Sequence, residues 1–169
     1  MFKINDYVMY GLVGACQITD IGKDEYARDK QTSYYVLRPV FDDNMTIKIP
    51  VDSPRLAMRP VISREAALAL IASLPEQETA WTDDEKQRNA VFKNALRSGK
   101  PEDWVRLIKS VYLEKEARAR VGKKIGKTEE GLMNTAEKLL NQELAVALNI
   151  SPDNVSSYIL EHIPEDKQQ

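Results

Sequence analysis

From residue 7 to residue 61 the apolar positions come in short runs broken by turn formers. Tyr7-Val8-Met9-Tyr10 is β-prone and closed by Gly11. Gly14 opens a second run from Ala15 to Ile21, alternating at Cys16, Ile18 and Asp20. Ser33-Tyr34-Tyr35-Val36-Leu37 is the strongest strand signal and is ended by Pro39. Asp42-Asp43-Asn44 is a turn cluster, after which Met45-Thr46-Ile47-Lys48-Ile49 alternates with period two and stops at Pro50. Leu56 to Val61 adds a fifth run. Five short strands in about 60 residues predict a small, strongly bent barrel of the Tudor or SH3 kind, which also removes exposed sheet edges.

From Ser63 onward the punctuation is helical. Ser63 caps a helix carrying Ala67, Leu68, Leu70, Ile71 and Leu74, ended by Pro75. Thr82-Asp83-Asp84-Glu85 fits a capping box before Val91, Phe92, Ala95 and Leu96, and Ser98-Gly99 stops that helix. Pro101 suits a first helical position, and Trp104, Leu107, Ile108 and Val111 form the apolar stripe of a third helix closed by Gly122. Thr128 starts a fourth, with Leu132, Ala136, Leu139, Leu140, Leu144 and Leu148 inside, and Ser151-Pro152 opens a last one with Val155, Tyr158 and Ile159. The tail after Pro164 is expected to fray. The pattern predicts an α+β protein in two segregated domains: an all-β barrel over residues 1–62 and an all-α bundle of about five helices from residue 63 to 169.

Charge changes this picture in one place. Residues 81–127 carry 13 basic and 7 acidic side chains, whereas residues 128–169 carry 2 basic and 8 acidic. The net charge of −2 therefore hides a basic middle segment. Such asymmetry suits an anionic partner such as nucleic acid, or else a solvated helix face. No apolar run approaches the roughly 20 residues of a membrane helix, and Met1 to Asp6 lacks the apolar core of a signal peptide. A cytoplasmic protein with no membrane partner is expected.

Candidate chemistry is sparse. Cys16 and His162 are the sole residues of their types, which leaves no disulfide, no cysteine zinc site and little for nucleophilic catalysis. Gly122-Lys123-Lys124-Ile125-Gly126-Lys127-Thr128 tempts toward a phosphate-binding P-loop, but has three residues between its glycines where four are needed, and follows a helix instead of a strand. It reads as a basic connector. No carboxylate pair stands in an apolar setting suited to acid–base work, so neither an enzyme nor a metal or other cofactor is implied. Trp104 lies on an apolar stripe and is expected in the core. Trp81 precedes the expected cap at Thr82, and the position where a staple partner belongs is Lys86. An aromatic among Lys86, Arg88, Lys93 and Arg97 suits a wedge against DNA bases; packing on another element is the alternative.

The series as a whole resembles the CarD/CdnL family of bacterial transcription regulators, whose N-terminal module is shared with the polymerase-binding domain of the transcription-repair coupling factor. In the first domain the resemblance lies in Phe2 to Tyr10, in Gly14, in Tyr35-Val36-Leu37 and in Met45 to Val51. In the second it lies around Trp81, in Arg97-Ser98-Gly99, in the helix through Tyr112-Leu113 and in Ala136 to Ala145. The resemblance implies a Tudor-like domain that binds the RNA polymerase β subunit. It also implies a helical domain that contacts promoter DNA at the upstream edge of the bubble, where a tryptophan wedges into the minor groove and stabilises the open complex. Carried over by position, Lys48 is a polymerase contact, with lysine where arginine is common, and Lys23 lies near a second such position. Trp81 is the wedge, and Lys86, Arg88, Lys93, Lys123 and Lys124 are expected on DNA phosphates. Two departures stand out. The stretch from Trp81 to Gly99 is longer than in familiar members by about one helical turn, and Glu129-Glu130-Gly131 stand where basic residues are common. A monomer is expected. The competing reading is a polymerase-binding adaptor with little direct DNA contact.

Overall fold

The computed structural model describes residues 1–26, 28, 31–42, 44–53 and 57–163. The chain divides into two compact units, Met1–Val61 and Ile62–Gln169. Ile62, grouped with the strands by sequence, falls with the helices, where its N–H donates to Glu143 Oε2 at 3.0 Å.

The first unit is one antiparallel sheet of β1 (Tyr7–Tyr10), β2 (Gly14–Lys23), β3 (Ser33–Pro39), β4 (Ile47–Pro50) and β5 (Met58–Pro60), ordered β4-β3-β2-β1-β5. The two edges are β4 and β5, both short and both carrying proline at their last position, where the missing N–H costs no central ladder bond. Among the described residues the ladder is open, with no β4–β5 pairing. The long β2 pairs with β1 and β3, and its register slips between Ile18 and Asp20. That bulge turns both Thr19 and Asp20 to solvent, so the expected alternation ends at Ile18. Val8, Cys16, Ile18, Tyr35, Leu37 and Ile49 form the core. Phe2 closes one side of it, edge-on to Tyr35 at 5.9 Å between ring centroids. Strand β4 begins two residues later than its alternation suggested, at Ile47. Asp43 of the expected turn, Leu56 at the expected start of the fifth strand, and the tail from Pro164 lie outside the described residues.

Among the described residues the second unit contains five α-helices: α1 (Arg64–Ser73), α2 (Glu85–Arg97), α3 (Pro101–Ala119), α4 (Lys127–Leu148) and α5 (Val155–His162). Ser63 caps α1 as expected, its side chain accepting from the Ala66 N–H. The capping box at Thr82 is not formed. Asp84 is the cap of α2, accepting from the Gln87 N–H at 3.1 Å, so this helix starts later than expected. An aspartate at that site satisfies a free N–H and also favours the helix dipole. Helix α4 packs against each of the other four. Its buried stripe comprises Met133, Ala136, Leu139, Leu140, Leu144, Ala145 and Leu148; Leu132, expected inside, is only partly buried and Met133 takes its place. Asn149 ends α4 in the left-handed conformation at φ 56°, a role asparagine fills better than most residues.

Trp104 sits at the centre of the α2–α3 contact. It is 1% exposed, and its indole N–H donates to the Leu96 carbonyl at 3.0 Å. Trp104→Ala would open a cavity and strand that carbonyl, so it is expected to cost about 3–5 kcal/mol, read as a lower urea midpoint of the helical circular dichroism signal.

Candidate functional site

On the first unit, the two lysines carried over as polymerase contacts come together. Lys48 on β4 and Lys23 at the end of β2 line one shallow concavity of roughly 400 Å³, with Asp20, Asp24, Tyr26 and Tyr34 around them. Lys48 Nζ lies 3.4 Å from Asp24 Oδ2, a partner the sequence gave no hint of because 24 residues separate them. The Asp24 carboxyl titrates below its usual range, chiefly because the Tyr26 N–H donates to it at 2.9 Å and secondarily because of Lys48. An exposed pair of this kind is screened by solvent and contributes little. Lys48 is therefore only lightly held and its amine stays open to solvent. Tyr26, 92% exposed, stands beside it.

On the second unit, the residues around Trp81 do not share one face. Trp81 lies in the connector before Asp84, not at the edge of a helix. That connector is fastened to α3. Lys109 Nζ donates to the carbonyls of Leu74, Pro75 and Gln77 at 2.8–3.2 Å, and the Ala80 N–H donates to Ser110 Oγ at 3.0 Å. Trp81 is partly buried. Its ring packs at 6.0 Å from Phe92, with the Arg88 guanidinium 4.4 Å and that of Arg118 5.6 Å from its centroid. With the cap at Asp84 the residue before it is Asp83, so Trp81 is not at a staple position at all; its contacts with Arg88 and Phe92 are made from further back along the connector.

Arg88 is not a phosphate-facing residue. It occupies the core stripe of α2 with Phe92 and Leu96 and is 7% exposed. Its Nε and Nη2 donate to Glu129 Oε1 at 3.1 and 2.7 Å, and its Nη1 donates to the Thr82 carbonyl at 2.8 Å. Lys86, Lys93 and Arg97 are exposed and, at about 100° per residue, lie on the side of α2 opposite Arg88. Sequence proximity thus grouped two faces that the helix separates. Lys123 and Lys124 are exposed after α3, and Arg118 links them to the Trp81 cluster. Arg118, which spacing alone did not single out, lines a concavity with them and reaches back over the indole.

Glu129 is buried at 3% exposure in the first turn of α4. Burial pushes its carboxyl up, but the Arg88 hydrogen bonds, its own N–H and the nearby Arg118 outweigh burial and hold it below the usual value. A Cβ added at Gly126 would overlap Glu129 Oε2, so the second glycine of the false phosphate loop is there to admit this carboxylate. Glu130 pairs with Lys115 at 2.8 Å. The two acids that stand where basic residues are common are therefore neutralised by partners within the unit.

The comparisons with known proteins agree with this division. Residues 2–62 match the CarD-like/TRCF RID domain. The first unit is thus of the RNA polymerase interaction domain class. Over 159 residues, 94% of this chain and 99% of the other, the protein is 25% identical to the "Putative transcription factor YdeB" of Bacillus subtilis (strain 168). Together these findings support a CarD/CdnL-like family, with the family match itself confined to residues 2–62. No helix among the described residues is long and apolar enough to cross a membrane.

Two outcomes follow from the buried pair. Arg88→Met leaves Glu129 buried without its countercharge and is expected to cost about 3–5 kcal/mol, with Arg88→Met/Glu129→Leu recovering much of it, as measured by urea unfolding. Because the folded carboxyl titrates below its ordinary value of 4.5, its stabilisation is fully present above that pH. It is lost as pH falls through the lower folded value. An acid titration of stability should show this loss in the wild type and not in the double variant.

Proposed function

We propose that this protein is a transcription regulator that binds the RNA polymerase β subunit through its first unit and contacts promoter DNA through its second, stabilising the open complex. The observation that carries the proposal is the match of residues 2–62 to the polymerase interaction domain, with Lys48 and Lys23 gathered at one concavity of that unit. In this reading the five-stranded sheet is curved as in a Tudor-like barrel, and the Lys48 face is the one that meets polymerase. Lys48 exchanges Asp24 for a carboxylate on the β subunit at little cost. On the second unit, Trp81 and the cationic residues Arg118, Lys123 and Lys124 are linked in space, which supports an indole presented beside a phosphate-binding surface. Lys86 and Lys93, on the other side of α2, serve a second stretch of backbone or none. A protein that binds the open complex better than the closed one shifts their populations by that difference in affinity.

A second reading has its own observation. Trp81 is partly buried under two guanidiniums, and residues 128–169 are acidic, which favours an adaptor that holds polymerase and barely touches DNA.

Open-complex lifetime on a fluorescent promoter, with the cognate polymerase, tests both. Wild type is expected to prolong the complex. Trp81→Ala is expected to keep polymerase binding but lose the effect, and Lys48→Glu, which also repels Asp24, is expected to lose polymerase binding. If Trp81→Ala behaves as wild type while Lys48→Glu fails, the adaptor reading stands and the wedge is abandoned.

A further inference from the structure

The two arginines over Trp81 are held very differently. Arg88 is anchored by Glu129 and by the Thr82 carbonyl, with its side chain 9% exposed. Arg118 has a side chain 33% exposed, and it donates to the Glu114 carboxylate at 3.1 Å and to the Lys124 carbonyl at 3.4 Å, the second at the limit of a hydrogen bond. Glu114 is itself 29% exposed, so this i, i+4 pair is weak and open to competition. Arg118 also forms the wall of an open concavity of roughly 530 Å³, lined by Glu114, Ala117, Val121, Lys123 and Lys124. The turn that presents the two lysines is fastened to Arg118 itself, since the Lys123 N–H donates to the Arg118 carbonyl at 2.8 Å. Three cations face one acid there, a setting for a doubly charged anion.

The geometry points to an anion-operated cover on Trp81: a phosphate or phosphodiester group entering between Arg118, Lys123 and Lys124 draws the Arg118 guanidinium from Glu114 and from the indole, uncovering Trp81. Arg88 stays in place and keeps the ring seated on Phe92. This rests on the proposed DNA-contacting role and deepens it. Arg118 becomes the positioning residue that makes exposure of the aromatic conditional on occupancy of the phosphate site. A phosphate is better at this than a chloride ion because it accepts from a guanidinium fork through two oxygens at once. An indole sheltered until a backbone phosphate arrives is also kept from apolar contact elsewhere.

Tryptophan emission reads this directly, because Trp104 is fully buried and leaves Trp81 as the accessible fluorophore. The full chain is titrated with inorganic tripolyphosphate, with sodium chloride at matched ionic strength as control, and quenched with neutral acrylamide. In the wild type the accessible quenching constant is expected to rise roughly two- to fivefold, the range set by loss of one partly exposed cation–π contact. Arg118→Gln should start at the raised value and ignore tripolyphosphate. Arg118→Lys should start raised as well, for want of a planar group over the ring, yet still bind tripolyphosphate in equilibrium dialysis. Glu114→Gln should respond at lower tripolyphosphate. Unchanged circular dichroism and an unchanged blue emission from Trp104 establish that each variant folds.

Duplex DNA of random sequence, added to the dialysis, separates the sources. Displacement of tripolyphosphate identifies the nucleic-acid backbone as the ligand; persistence identifies a free polyphosphate. The inference is overturned if tripolyphosphate leaves wild-type quenching unchanged, or if Arg118→Gln is as shielded as wild type. Either result leaves the polymerase assay untouched, and failure of that assay leaves the coupling between anion and indole intact.

Discussion

A guanidinium and a carboxylate that have both left water, Arg88 and Glu129, set the geometry of everything around Trp81. Neither is tolerable at such depth alone, so α2 and α4 must meet at one register. The pair fixes the first turn of α4, excludes a side chain at residue 126 and supplies the flat cation on which the indole rests. Hydrophobic packing by Phe92, Leu96 and Trp104 holds the helices together; the ion pair decides how. Removing one member of such a pair costs far more than replacing both, so the pair restricts which arrangements of α2 and α4 are tolerated.

Much of the architecture was legible from periodicity. The strand runs and the helical stripes reflect the 2.0 and 3.6 repeats that burial on one face imposes, and both classes of element are present, with Ser63 capping α1 and Pro101 at the first position of α3. The errors have definite causes. Met45 and Thr46 alternate correctly but have no partner strand, since pairing is a non-local property. Thr82 and Asp84 are both good caps, and local pattern could not choose between them; tethering of the preceding connector to α3 did. Arg88 was grouped with neighbouring lysines because linear charge density ignores which side of a helix a residue occupies.

The site was legible in part for the same reason. Lys48 and Lys23 carried their place by resemblance, and the sheet brings them to one concavity. Asp24 beside Lys48, and Arg118 above Trp81, were invisible because their partners are 24 and 37 residues away in the chain. A charged residue expected at the surface but found on the apolar stripe, as Arg88 is relative to Phe92 and Leu96, is a signal that sequence does carry. It asks for a buried acid elsewhere, and Glu129 is that acid.

The fastening of the Leu74–Ala80 segment to Lys109 and Ser110 has a consequence for how such a chain tolerates insertions. The backbone that leads into Trp81 is tied to α3 through the bonds at Gln77 and Ala80, while the ring itself rests on Phe92 and Arg88 of α2. The far end of α2 is tied to α3 as well, where the Trp104 indole N–H meets the Leu96 carbonyl, so the segment between Trp81 and Gly99 is held at both ends by one helix. A change of length in α2 must therefore keep both of these anchors, and with them the seat of the indole.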